Sequence, residues 1–278
     1  MSAVKPAGQL DRHSAEALAA GRPLDAFAAL GPHEDGSHRI VRVFVPGAEG
    51  VEIVGRDDGR SLGTLSAGLV SGLFEGPATR AGAYLLRIQW PGALQETEDP
   101  YAFGPALGDL DLHLFNEGRH FELAEALGAN VMSMDGVEGV RFAVWAPNAQ
   151  RVAVIGDFNS WDRRRHPMRL RPSAGVWEIF IPRLGAGTRY KFDILGPDGG
   201  RVPDKADPVA QQAELAPGTA SIVAAPAATL RWNDEDWMAG RADRQSAASP
   251  ISIYEVHAGS WMRQKTGAGA AERPLWDF

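Results

Sequence analysis

The chain repeats itself. Residues 43–55 read VFVPGAEGVEIVG and residues 144–156 read VWAPNAQRVAVIG, so an aromatic residue, a proline, a turn and an alternating strand ending in glycine recur in order. The echo continues with GLFE at 72–75 and GVWE at 175–178, with Tyr84 and Tyr190, and with the Asp-Pro pairs at 99–100 and 207–208. The interval grows from 101 residues at Pro46 and Pro147 to 108 at Asp99 and Asp207. Loop insertions in a duplicated domain leave that trace. Two copies are too few for a repeat array, so the spacing predicts two tandem domains.

Within each copy, short alternating apolar segments are separated by Gly, Pro, Asn and Asp turns. HRIVRVFVP, GVEIVG and GAYLLRI mark the first copy, and VRFAVWAP, RVAVIG, VWEIFIP and RYKFDI the second. Several short strands at that spacing predict a β-sandwich of about 100 residues per copy, and a mainly β chain. Between the copies, FNEGRHFELAEALGAN (115–130) carries Phe121, Leu123, Ala124 and Leu127 at helical spacing with Gly128 as a stop, which predicts a short helix. A similar helical stretch, DRHSAEALAAG, lies within residues 1–22. Residues 227–250 are polar and turn-rich, a linker, and ISIYEVHAGSW (251–261) begins a new β segment.

The formal net charge of −7 and a pI near 5.5 argue against nucleic-acid and anionic-membrane partners, which favour a basic surface. With no cysteine, disulfides, thiolate metal sites and a cysteine nucleophile are excluded. His33 and His166 lack metal-ligand spacing, the sequence marks no catalytic role for His257, which reads as structural, and no Gly-rich phosphate loop occurs. Neither a cofactor nor a metal is expected. The opening residues lack a signal-peptide apolar run and no stretch approaches a membrane span, so the expectation is a soluble, cytoplasmic protein.

One loop breaks the strand pattern. GDFNSWDRRRHPM (156–168) sets Trp161 among turn-forming polar residues. Asp157 and Asn159 can bond the backbone of such a turn, which gives the loop a structural reading. An exposed Trp can also offer a flat platform to the apolar face of a sugar. Both roles stay open for Trp161. Trp145 and Trp177 line up with Phe44 and Phe74 of the other copy and are expected in the core, and Arg163, Arg164 and Arg165 in a solvated loop.

GVRFAVWAPNAQRVAVIGDFNSWDRRRHPM, GVWEIFIP, YKFDI, KADP, PGTASIV and PISIYEVHAGSW, in that order, resemble the amino-terminal part of bacterial glycogen branching enzymes. PLDAFAALGPHED (23–35) and EDPYAFGPALGDLDLHLFNEGRH (98–120) resemble their first domain and inter-domain segment. The resemblance implies two tandem immunoglobulin-like β-sandwiches (23–110 and 131–226), joined by the helical segment 111–130. The second would be a family-48 carbohydrate-binding module, and residues 251–278 would start a (β/α)₈ barrel. It implies an enzyme that cuts α-1,4-glucan and transfers the cut end to a 6-hydroxyl in glycogen biosynthesis.

Such a barrel needs about 250 residues, and the family's catalytic carboxylates lie on its later strands. No catalytic residue is therefore assigned, and the chain alone is expected to be inactive, a weak glucan-binding or domain-positioning module whose partners are α-glucan and its own catalytic barrel. By the same resemblance, Trp161 and Lys191 match the sugar-contacting positions of glucan-binding relatives, while a second aromatic used by those binders has no counterpart. Two other readings are an autonomous glucan-binding or scaffold protein, and a fragment of a debranching or trehalose-releasing relative. Against the scaffold reading stands ISIYEVHAGSW, an orphan barrel strand with an unpaired edge.

Overall fold

The computed structural model describes residues 9–35, 38–79, 82–226 and 232–257, with two-residue strands at 263–264 and 273–274. The first copy contributes β1 (Gly31–Asp35), β2 (His38–Phe44), β3 (Gly50–Gly55), β4 (Ser61–Ala67), β5 (Leu73–Ala78), β6 (Tyr84–Trp90) and β7 (Ala93–Thr97). These pair in the order β1-β2-β5-β4-β3-β6-β7. Strand β4 joins the two parts of this ladder. Its first part pairs with β3 through Val51↔Leu65 and Ile53↔Gly63, and its last two residues pair with β5 through Ser66↔Glu75 and Ala67↔Phe74. A register shift between Ile53 and Val54 marks the bend, as bulges do where strands change layers. Val41 and Val43 of one layer then meet Ile53, Leu86 and Ile88 of the other in a buried core.

The second copy contributes β8 (Gly128–Met134), β9 (Val137–Trp145), β10 (Arg151–Gly156), β11 (Arg169–Arg171), β12 (Val176–Pro182), β13 (Arg189–Leu195), β14 (Gln212–Ala213) and β15 (Ser221–Ile222). They form two four-stranded sheets, β11-β12-β9-β8 and β10-β13-β15-β14. Phe142, Val154, Ile179, Tyr190 and Phe192 interdigitate between them. In the first sheet the pairs β8–β9 and β11–β12 are joined by β9 beside β12, all antiparallel, and alternation sends every second side chain inward.

The duplication holds at the level of register. Phe44 faces Leu73 where Trp145 faces Val176, and Gly55 faces Tyr84 where Gly156 faces Tyr190. Gly72 and Gly175 both sit at positive φ, and a Cβ on either would fall 2.7 Å or less from Pro46 or Pro147, so only glycine fits there. The buried Tyr84 hydroxyl donates to Asp99 (2.7 Å), and Tyr190 donates to Asp207 (2.6 Å). Burial raises the pKa of both phenols and of both carboxyls, that of Asp99 to about 6.

Short helices cover the outer faces. In α1 (Arg12–Ala20) Asp11 caps the N-terminus through the amide of Ser14, and Gly21 ends the helix in the left-handed region. Together with α2 (Ala26–Ala29) it lays Leu10, Ala15 and Leu18 over Phe44 and Leu73. On the second copy, α3 (Asp109–Asn116) and α4 (Leu123–Ala126) bring Leu112 and Ala126 onto Ala143 and Val176.

Three expectations are corrected here. The single helix over 115–130 is two short ones, because the chain turns at Gly118 (φ 66°), leaves Phe121 exposed, and has already entered β8 at Gly128. Trp177 is buried, but Trp145 is 56% exposed: α3 offers it only an edge contact from Phe115, 6.1 Å between centroids. The three arginines are not free in solvent. Arg163 pairs with Asp204 (2.7 Å), Arg164 with Asp162 (2.6 Å), and Arg165 lies over the Trp90 ring at 5.6 Å.

The two sandwiches belong to one compact unit. Glu98 receives both Nε and Nη2 of Arg183 (2.8 and 2.9 Å), Arg169 covers Phe27 at 3.8 Å, and Phe27 meets Tyr101 edge-on. The remaining unit begins at residue 228 and contains α5 (Glu235–Ala239) and α6 (Arg241–Arg244) where the sequence suggests a plain linker. It also holds the paired β16 (Arg263–Gln264) and β17 (Arg273–Pro274). Residues 251–257 are exposed and form no strand, contrary to the β segment expected from ISIYEVHAGSW, whose last four residues lie outside the described ones. Among the described residues, no helix is long and apolar enough to cross a membrane.

Candidate functional site

The loop after β10 is built from its inside outward. Asp157–Asn159 form one 3-10 turn, after which Ser160 and Trp161 both adopt left-handed φ values, 56° and 57°. Two successive non-glycine residues in that region carry strain and persist only where neighbours over-determine them. Asn159, 1% exposed, does this: its Oδ1 accepts from Gly156 N (3.0 Å), and its Nδ2 donates to Val154 O (3.0 Å) and His166 Nδ1 (2.9 Å). The amide of Trp161 closes the turn on Gly156 O at 2.9 Å. Phe158 stacks on the core ring of Phe142. Phe158 and Asn159 thus anchor the loop from within, and Trp161 is left half-buried at the surface.

A chain of polar contacts fixes the outer face. Trp161 Nε1 donates to Asp157 Oδ1 (3.0 Å), and Asp157 Oδ2 accepts from Arg189 Nε (2.8 Å). Arg189 also reaches Glu214 (3.2 Å), whose other oxygen accepts the amides of Thr219 and Ala220. Thr219 Oγ1 in turn receives Lys191 Nζ at 2.6 Å. Arg189 and Lys191 flank the inward Tyr190 on β13, so strand alternation sends both to the outer face. The structure therefore brings Trp161 and Lys191, thirty positions apart in sequence, onto one hydrogen-bonded surface.

Sequence reasoning missed the turn that completes this surface. Residues 214–219 form a tight turn through a cis Ala216–Pro217 bond, with Leu215 at its tip, 90% exposed. The search for a second aromatic passed over it because the apolar side chain there is aliphatic. The signal was present as ELAPGT, a leucine beside a Pro-Gly turn.

The arrangement suits binding and not acid–base chemistry. The hydrogen bond from Arg189 holds Asp157 below the usual carboxylate range, and backbone amides with Arg189 do the same for Glu214. Both stay ionised near neutral pH, so neither can donate a proton to a leaving oxygen. Burial, with the nearby Arg165, pushes the His166 imidazole down to about 3. It is neutral, and because Nδ1 accepts from Asn159 its proton sits on Nε2. Among the described residues no group of three His, Cys, Asp or Glu side chains could hold a metal ion.

Comparison with known proteins matches both sandwiches. Residues 11–101 match the family described as alpha-1,4-glucan branching enzyme GlgB, N-terminal domain, and residues 126–210 match carbohydrate-binding module 48 (isoamylase N-terminal domain). The chain is 59% identical over 249 residues to 1,4-alpha-glucan branching enzyme GlgB 2 of Xanthomonas oryzae pv. oryzae, covering 90% of this chain and 34% of that protein. It is 56% identical over 252 residues to GlgB 2 of Rhizobium johnstonii, again covering 90% of this chain and 34% of that one. A solved structure titled putative alpha amylase from Salmonella typhimurium covers 40% of this chain and 17% of its own at 23% identity and a TM-score of 0.30, too distant to add to the argument. The chain spans about a third of the length of the curated relatives it matches.

Proposed function

We propose that this chain, which carries the amino-terminal portion of the bacterial 1,4-alpha-glucan branching enzyme family, is the glucan-handling part of such an enzyme. In this reading it holds α-1,4-linked chains of glycogen in the cytoplasm, beside a catalytic barrel that cuts and transfers them. The supporting observation is the pre-assembled face of Trp161, Lys191 and Leu215. The indole offers a flat apolar plate, Lys191 a donor for hydroxyls, and Leu215 a projecting apolar knob that a curved glucan can wrap. Because Asp157 and Arg189 already orient the indole, little side-chain freedom is lost on binding.

The reading is tested by affinity electrophoresis in gels containing glycogen. The parent chain should be retarded, and Trp161→Ala should weaken retardation about tenfold, the effect of removing one central anchor of roughly 1–2 kcal/mol. Lys191→Ala should weaken it less. Equal retardation of parent and Trp161→Ala would return Trp161 to loop packing alone.

A further inference from the structure

The two sandwiches leave a cleft of about 310 Å³ between them, lined by Phe158 of the Trp161 loop but by none of Trp161, Lys191 and Leu215. This is the lower end of the range that small-molecule sites occupy. Its apolar lining comes from Val43, Val45, Leu86 and Ile88 of the first sandwich and from Phe158 and Ile181 of the second.

Two carboxylates line the cleft and both are engaged: Glu98 accepts from Arg183, and Asp99 accepts from the Tyr84 hydroxyl and the Tyr101 amide. Arg165 lines the cleft with a guanidinium that lies over Trp90 and has no hydrogen-bond acceptor among the described residues. The acid beside it, Asp162, is already taken by Arg164 through two contacts of 2.9 and 2.6 Å. His166 also lines the cleft, neutral and with its proton on Nε2, a second donor without a protein acceptor. Arg183 adds positive charge at the rim but is matched by Glu98. The Arg165 guanidinium and the His166 Nε2–H thus lack a protein acceptor among the described residues and lie beside the apolar part of the lining.

We propose that this cleft is a second binding site, separate from the glucan face, for a small amphipathic anion: a carboxylate or phosphate monoester carried on a flat apolar body. The acid group lies against Arg165 and His166 Nε2, and the body fills the space above Leu86, Ile88 and Phe158. Charge-assisted hydrogen bonds to a guanidinium in a partly desolvated site supply the selectivity for an anion over an uncharged analogue. The bound body also touches Phe158, so an occupant stiffens the anchor of the loop that presents Trp161.

The test is isothermal titration calorimetry of the full chain with 2-naphthoate, 2-naphthyl phosphate and the uncharged 2-naphthalenemethanol. At least one anion should bind with one-to-one stoichiometry and about tenfold more tightly than the alcohol. Which anion binds distinguishes carboxylate from phosphate. Arg165→Met should reduce that anion to the affinity of the alcohol, and Leu184→Trp, which places an indole in the mouth, should abolish binding of all three. Absence of saturable binding by both anions, equal affinity for the alcohol, or unchanged binding in Leu184→Trp would overturn the proposal. If Arg165→Met does not fold, the anion-to-alcohol ratio and Leu184→Trp decide it alone.

Discussion

The two sandwiches share a ladder register, a glycine–proline contact and a buried tyrosine–aspartate bond, yet they hold the start of one stretch of chain differently. After Gly55 the first copy turns and sends β4 across both layers. After Gly156 the second copy spends nearly the same length first on a loop pinned by Asn159; only then does Pro167 bridge Ala153 of β10, and the three residues of β11 pair with β12. Between the shared glycines, Gly55 to Gly72 and Gly156 to Gly175, the copies differ by two residues. The copies therefore differ in how the first part of that stretch is held: by strand pairing in one, by Asn159 and the left-handed pair Ser160–Trp161 in the other.

The comparison can be broken most sharply at its aromatic pair. Phe44→Ala should cost about 3–5 kcal/mol, because helix α1 closes over that ring. Trp145→Ala, at the matching register position but open to solvent, should cost less than about 1 kcal/mol. Urea unfolding of the two variants measures both, and equal costs would mean that the helical covers are equivalent after all.

Next in size is Asn159→Ala. It strips a buried turn of three hydrogen bonds and should cost about 2–3 kcal/mol. Retardation by glycogen should be lost with it, since the left-handed pair would relax. A variant that unfolds earlier but still binds glycogen would separate the loop's geometry from recognition.

The smallest expected effect concerns the tyrosine–aspartate bonds. Burial raises Asp99 to about 6 in the folded state, whereas in the unfolded chain the carboxyl ionises near its ordinary value. Its contribution is fully present below about pH 4 and is lost as pH rises through about 6. Asp99→Asn cannot ionise, so between pH 4 and 7 the stability difference should move in the variant's favour by about 1–3 kcal/mol. Asp207→Asn should change in the same direction, its carboxyl being raised by burial too. Unfolding curves at four pH values check this, and a pH-independent difference would show that Asp99 keeps its charge when buried.

Much of the fold was legible because the repeat is written in residues with local consequences. Pro46 and Pro147, Tyr84 and Tyr190, Asp99 and Asp207 each sit where strand ends, alternation or a cap demand them. Exposure of Trp145 was not legible, since Phe44 at the matching position is covered by α1, whereas α3 gives Trp145 only the edge of Phe115. The arginines after Trp161 read as solvated because their partners, Asp204 and Trp90, lie far away in sequence. Trp161 and Lys191 were recognisable one by one. Their connection was not, because it runs through Arg189, Glu214 and Thr219, three residues with no special spacing.

Arg189 grips the Trp161 loop through Asp157 and the Leu215 turn through Glu214 with one guanidinium. Platform and knob therefore share a hinge pin. Whatever shifts that single side chain, a competing anion or a neutralising substitution, loosens both ends of the surface together, and a chain of sugars would meet either the whole cradle or none of it.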